Sequence, residues 1–188
     1  MEQQSASLVD KCLIATPAIK DPIFASSLVY MCEHNQNGSM GLVVNHETSQ
    51  ILDDIFQQLN IECNDDRIRS QPVFIGGPVQ LEQGFVLHSG GGHWQNSIEV
   101  SSGIHLTSSL DILQAIASGQ GPDDYLVILG FSGWASGQLE SELQQNSWLT
   151  STCSADLLFH QKPEDKWQVA FDSLGFDINS LSPVSGNA

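Results

Sequence analysis

The sequence predicts an α+β fold built on a mixed, largely antiparallel sheet. Three observations carry that reading. Strand-like apolar runs outnumber helical ones and crowd the first part of the chain. The polar tip His34-Asn35-Gln36-Asn37-Gly38 joins two of those runs as a hairpin turn would. Helical patterns are interspersed irregularly, where a strict βαβ alternation would place one after every strand.

The elements follow in order. A first strand at 12–15 stops at Thr16-Pro17, because the residue before proline avoids helix. Asp21-Pro22 marks a turn before Phe24. Strands at 28–32 and 41–45 flank the hairpin tip. A first helix is capped by Thr48 or Ser49, and Ile51, Leu52, Ile55, Phe56 and Leu59 recur at helical spacing. Strands follow at 73–75 and 85–88, with Gly76-Gly77-Pro78 between them and a flexible Gly90-Gly91-Gly92 beyond. Short strands at 98–100 and 104–106 precede a second helix. Thr107 or Ser108 caps it, Asp111 completes a capping box with Ser108, and Gly119 stops it. The run 125–131 is continuous and apolar, as in a strand buried on both faces. A third helix spans 139–145, Trp148-Leu149 is strand or turn, and Trp167, Ala170, Phe171 and Leu174 mark a last helix. There is no internal repeat and no linker, so residues 1–188 read as one domain with its core at about 8–177. The polar ends, 1–7 and 180–188, read as loose.

Charge excludes function classes. The 188 residues carry 6 Lys plus Arg against 22 Asp plus Glu, a net charge of −16. The cations are Lys11, Lys20, Arg67, Arg69, Lys162 and Lys166, with none between 70 and 161. A nucleic-acid surface needs several cations to displace condensed counterions, and no segment here supplies such a stripe. The field of the chain repels DNA, RNA and anionic headgroups, so neither nucleic acid nor membrane is an expected partner. The start lacks a basic segment followed by an apolar one, which predicts a cytoplasmic protein. Cys12, Cys32, Cys63 and Cys153 form no C-x-x-C and read as reduced thiols, three buried and Cys63 the most accessible.

No motif defines a reaction. A phosphate-cradling loop is absent, and Gly119-Gln120-Gly121 opens a dinucleotide fingerprint that Asp124 breaks. Gly133-Trp134-Ala135-Ser136-Gly137 has the setting of a nucleophile elbow, but Ala135 stands where the serine belongs. The glycines there, Gly130, Gly133 and Gly137, instead allow a sharp turn and close backbone approach. The six histidines form no H-x-x-x-H pair, and Cys32 with His34 lacks two further ligands, so neither metal nor cofactor is expected. Asp53-Asp54 suits the first turn of a helix, and Asp65-Asp66 and Asp123-Asp124 suit solvated turns.

Four ordered blocks carry a resemblance. The first runs from Thr16-Pro17 and Asp21-Pro22-x-Phe24 through Val29-Tyr30-Met31-Cys32-x-His34 to Gly38-Ser39-Met40-Gly41-Leu42-Val43-Val44-Asn45. The second is Gly76-Gly77-Pro78-Val79 with Phe85-Val86-Leu87-His88. The third is Leu129-Gly130-Phe131-Ser132-Gly133-Trp134 with Gly137-Gln138-Leu139-Glu140-x-Glu142 and Trp148. The fourth is Asp156-Leu157-Leu158-Phe159, then Trp167 and Leu174-Gly175. Over about 8–177 the chain resembles the bacterial AlgH/YqgE family. Ser39 stands where that family often has alanine, and Phe131-Ser132 where Tyr-Ala is common.

The resemblance implies a sheet curled into a pseudo-barrel and flanked by helices. It also brings a transcriptional-regulator label, which the charge reading turns toward a protein or small-ligand partner. The family motifs single out Thr16, Asp21, His34, Asn45, His88, Trp134, Gln138 and Glu142. Two classes of function remain open on these residues: a cytoplasmic binding or regulatory module, and an enzyme using His34 or His88 as base with a nearby carboxylate. Structural roles compete with both: Asn45 closing a turn, Trp134 filling the core, Gln138 capping a helix.

Overall fold

The computed structural model describes residues 7–91 and 93–175. The ends expected to be loose lie outside the described residues, Ser7 apart, as does Gly92.

Pairing begins where the sequence places it. β1 (Lys11–Ala15) pairs antiparallel with β2 (Leu28–Asn35), which turns back into β3 (Gly38–Val43). Alternate side chains of β1 and β2 serve two cores: Cys12, Ile14, Leu28 and Tyr30 face one, and Leu13, Ala15, Val29 and Met31 the other. A period of two with both faces buried reads in sequence as an unbroken apolar run.

β4 (Glu47–Ile51) then pairs with β5 (Pro72–Ile75), and α1 (Leu52–Leu59) and α2 (Asp66–Arg69) lie between them. The expected cap at Thr48 or Ser49 does not form. Thr48 Oγ1 donates to the Val73 carbonyl across the β4–β5 pair (2.9 Å), and α1 starts four residues later, at Leu52. α2 occupies what the sequence presents as a turn, with the Asp65 carboxylate accepting from the Arg67 N–H. Asp53 is more than a solvated first-turn acid: Arg69 donates two hydrogen bonds to it (2.8 and 3.1 Å), tying α2 to α1.

The second half holds β6 (Val79–Ser89), the hairpin of β7 (Ser97–Ser101) and β8 (Ile104–Thr107), and α3 (Leu110–Ala117). The N-cap position of α3 is Ser109, one residue beyond the expected Ser108, and its side chain makes no cap bond to the helix, so the expected capping box does not form. Asp111 instead accepts from the Ser109 hydroxyl and from the Gln95 N–H, which ties the loop before β7 to the start of the helix. Gly119, at φ 74°, stops the helix as expected.

β9 (Tyr125–Ala135) organises the sheet. Its first half lies between β6 (antiparallel) and β5 (parallel), and its second half pairs with β3. The strand bends at Gly130, at φ 70°, where a Cβ would meet the Gly77 carbonyl oxygen at 2.8 Å. Close approach does not explain Gly133, since a Cβ there would make only ordinary contacts. α4 (Gln138–Gln144) follows Gly137, then β10 (Trp148–Thr152), a π-helical turn (Asp156–His160) and α5 (Pro163–Asp172).

The strand order is β10-β1-β2-β3-β9-β6-β8-β7, antiparallel throughout, and β5 adds the parallel pair with β9. The sheet curls into a half-barrel, as expected. One core draws residues from β1 through β9 and is closed by the π turn and α5; α1 with α3, and α4 with Trp148, cover two further cores.

The thiol reading is corrected. β1 and β10 pair with Cys12 opposite Ser151, which brings Cys12 within 5.4 Å (Cα to Cα) of Cys153, and the two form a disulfide across 141 residues of sequence. Cys32 and Cys63 are the free cysteines. Cys32 is buried, and burial pushes its thiol up to about 12.

Candidate functional site

The site grows from the turn between β9 and α4. Gly137 takes a left-handed conformation that ends the strand and starts the helix. Gln138 and Glu142, four residues apart, then share one helix face. The Gln138 side chain bridges: its Oε1 accepts from the Ala135 N–H (3.0 Å) and its Nε2 donates to Glu142 Oε1 (2.9 Å). Gln138 therefore does not cap the helix, whose N-cap position is Gly137 with no side-chain cap bond; it ties the helix start back to the end of β9 and positions Glu142.

Two indoles complete the arrangement. Trp134, from β9, donates its Nε1–H to Glu142 Oε2 at 2.9 Å, and Trp148, from β10, donates to the same oxygen at 2.8 Å. Their rings meet edge to face at 6.0 Å, and Phe24 meets Trp148 in the same way at 5.8 Å. Both indoles are buried, so Trp134 does fill a core, with its polar edge kept for the carboxylate.

This wall borders a cleft of about 370 Å³, lined also by Lys20, Asp21, Pro78 and Ser147. Asp21 is exposed; its Oδ1 accepts from the Ile23 N–H (2.8 Å), and the rest of the carboxylate is free for the cleft. Thr16 stands behind. Its hydroxyl donates to the Asn146 carbonyl (2.8 Å) and its N–H to that of Ser147, fixing the loop that carries Trp148.

The other candidates lie elsewhere. Asn45 accepts from the Leu28 N–H and donates to the Ser26 carbonyl, which is the turn-closing role. His34 sits across α4, where its Nε2 meets Glu140 at 2.8 Å. Its Nδ1 accepts from the Leu8 N–H at 3.1 Å, so the Nε2 carries the proton and donates it. That hydrogen bond holds the Glu140 carboxyl below the ordinary value.

His88 is in the far half of the sheet and fully buried. Its Nδ1 pairs with the Ser89 carbonyl and therefore donates, leaving Nε2 to accept from Thr107 Oγ1 at 2.8 Å. Burial lowers its pKa, which keeps the ring neutral. The hydroxyls flanking the elbow-like turn are also committed: Ser132 donates to the Gly76 carbonyl and Ser136 to that of Gln36.

Of the residues singled out in the sequence, the structure brings Asp21, Trp134, Gln138 and Glu142 around one cleft with Thr16 behind it, and adds Trp148, which stands in the third block but was not singled out. A second omission is Lys166, only 1 % exposed. Its signal was available: with Trp167, Ala170 and Phe171 it falls on the apolar stripe of α5, where a lysine is out of place. Among the described residues, no cluster of three or more His, Cys, Asp or Glu side chains is placed to hold a metal ion. No helix among them is long and apolar enough to cross a membrane.

The comparisons with known proteins agree on one family. A family model described as AlgH-like (DUF179) matches residues 12–179. A UPF0301 protein of Xanthomonas campestris pv. campestris is 46% identical over 181 residues, 96% of each chain. One from Nitrosospira multiformis is 46% identical over 185 residues, covering 98% of this chain and all of the relative. The solution structure of the AlgH protein from Pseudomonas aeruginosa matches with a TM-score of 0.80 at 38% identity over the whole of both chains. A crystal structure of a Corynebacterium diphtheriae protein, 19% identical with a TM-score of 0.66 over 89% of this chain and 86% of that one, shares the fold. None of these names states a ligand or a reaction.

Proposed function

The chain belongs to the AlgH-like family, and from that premise we propose that it is a binding or regulatory module. It takes its partner, a protein or a small ligand, in the cleft between β9, α4 and the loop after β1. The observation that carries the reading is the Glu142 carboxylate, held rigid by three donors in the wall of an open cleft. A carboxylate offers about four lone-pair positions, so one remains for an incoming donor. No lysine or arginine pairs with Glu142 among the described residues, and Asp21 adds a second acidic group. Two carboxylates against one lysine, beside aromatic rings, suit an amine or guanidinium group of the partner.

The distribution of cations supports a partner other than nucleic acid. Both arginines are engaged with aspartates, and Lys166 is buried. That leaves Lys11, Lys20 and Lys162, spread over β1, the following loop and the start of α5. A regulator label, on this reading, acts through the bound partner. The alternative of a histidine base draws less support, since His34 and His88 each have both ring nitrogens occupied.

The test follows the Trp134 and Trp148 indole N–H resonances while the protein is titrated with arginine amide, with glutarate and with duplex DNA at physiological ionic strength. Arginine amide is expected to shift both indoles saturably, and Asp21→Asn to weaken that shift several-fold. Glutarate and DNA are expected to leave them in place. Indoles that ignore the cation, or saturable DNA binding at that salt, would overturn the proposal.

A further inference from the structure

Lys166 lies outside the Glu142 cleft, in a setting that needs its own account. Its Nζ donates to the Val44 carbonyl at 2.9 Å and lies 5.3 Å from the centre of the Phe74 ring. An ammonium has three donors, and among the described residues Val44 is the one hydrogen-bond partner. Among the described residues no carboxylate forms an ion pair with it, so burial of this charge is poorly compensated.

A cavity of about 180 Å³ opens beside it. Phe74, Phe159 and Tyr125 wall it, and the exposed Glu47 and Gln71 lie at its rim. The titratable groups that line it with Lys166 are Glu47, from β4, and Tyr125, from β9. A methionine or leucine would pack on this stripe without a desolvation cost, so packing does not explain the lysine.

We propose that this cavity is a site for a small uncharged aldehyde or ketone, which the Lys166 amine captures reversibly as an imine. The amine lone pair attacks the carbonyl carbon, and the carbonyl π pair moves to oxygen and takes a proton. The carbinolamine then loses water, the nitrogen gives up its remaining protons, and a C=N bond replaces C=O. In sum, amine and carbonyl give imine and one water, with no oxidant or reductant. Burial brings the lysine down to about 8, so roughly a tenth of it is free amine at pH 7, against well under a thousandth for an ordinary lysine. Aromatic walls suit an apolar substituent, and Glu47 at the rim disfavours an anionic one. The site is independent of the Glu142 cleft and stands or falls separately.

The experiment uses the folded full-length chain with propanal at pH 7, with cyanoborohydride trapping and peptide mass spectrometry. Intact mass without reductant reads the imine directly. Exposed Lys20 and Lys162 serve as internal standards. Lys166 is expected to label at least ten-fold faster than either, saturably in propanal, and to lose that advantage in urea. The intact mass is expected to gain one aldehyde less one water, and Lys166→Met to lose the gain. Native Lys166 labelling no faster than Lys20 and Lys162, with no imine in the intact mass, would overturn the proposal.

Discussion

Glu142 receives two indole N–H groups on one oxygen and an amide N–H on the other, and this fixes what its replacement should cost. Glu142→Leu leaves both indole donors unpaired beside a buried wall. It is expected to lower stability by about 2 kcal/mol or more, read as a drop in the urea midpoint. Glu142→Gln keeps one acceptor oxygen and should lose less. Lys166 behaves in the opposite sense. Its folded-state value, about 8, lies below the ordinary 10.5, so the unfolded chain holds the proton more tightly between those values. Stability therefore rises as pH climbs from about 8 to 10.5, and below 8 the desolvation cost is present in full. Lys166→Met is expected to stabilise the protein at pH 7 by about 1–3 kcal/mol, with the gain fading toward pH 10.5. A loss at pH 7 would mean that the Val44 hydrogen bond outweighs the buried charge. At this scale residue types were legible: the indoles, Gln138 and Glu142 stood together in one block. Their common target was not, because the turns at Gly137 and Asn146 aim both indoles at Glu142, and residue spacing does not specify the course of those turns.

The elements show where local signals hold and where pairing overrides them. The hairpin of β2 and β3 and the apolar face of α3 form as their patterns predict, since each depends on neighbours within a few residues. The β9 run forms as well, because its unbroken apolar pattern suits a strand paired on both sides by distant strands. β4 is the counterexample. Residues 47–51 carry helix-start signals, yet β5 supplies a strand partner and takes Thr48 away from the cap. The ends of β6 and β9 run several residues past their apolar centres for the same reason, because sheet partners extend them. The bend in β9 makes a direct test. Gly130→Ala places a Cβ against the Gly77 and Val79 carbonyls in a positive-φ conformation. It is expected to cost about 2 kcal/mol or more, measured by thermal and urea unfolding, whereas Gly133→Ala should stay within about 0.5 kcal/mol.

The whole molecule is a half-barrel whose first and tenth strands are neighbours, and the Cys12–Cys153 bond sits on that junction. Alkylation in denaturant without reductant is expected to modify two cysteines, Cys32 and Cys63, and with reductant all four. Four modified without reductant would restore the thiol reading. Cys12→Ser is expected to cost about 2–4 kcal/mol in non-reducing buffer and little in reducing buffer. Disulfides persist in oxidising surroundings, so the bond pulls against the reducing compartment that the sequence suggested.

By itself the sequence determined the α+β class, the largely antiparallel order, the two-faced burial of the central strands, the family, and the shortage of cations. These are set by composition and by periods of two and 3.6 residues, which each segment carries locally. Only the tertiary structure decided that Trp134, Trp148 and Gln138 converge on Glu142, that Cys12 meets Cys153, and that Lys166 lies under Val44 beside a cavity. Cys12 and Lys166 find partners 141 and 122 residues away, brought together by the closing of the curl, which depends on the packing of all the strands at once. The Glu142 cluster lies within residues 134–148, where sequence left open the course of the turns at Gly137 and Asn146.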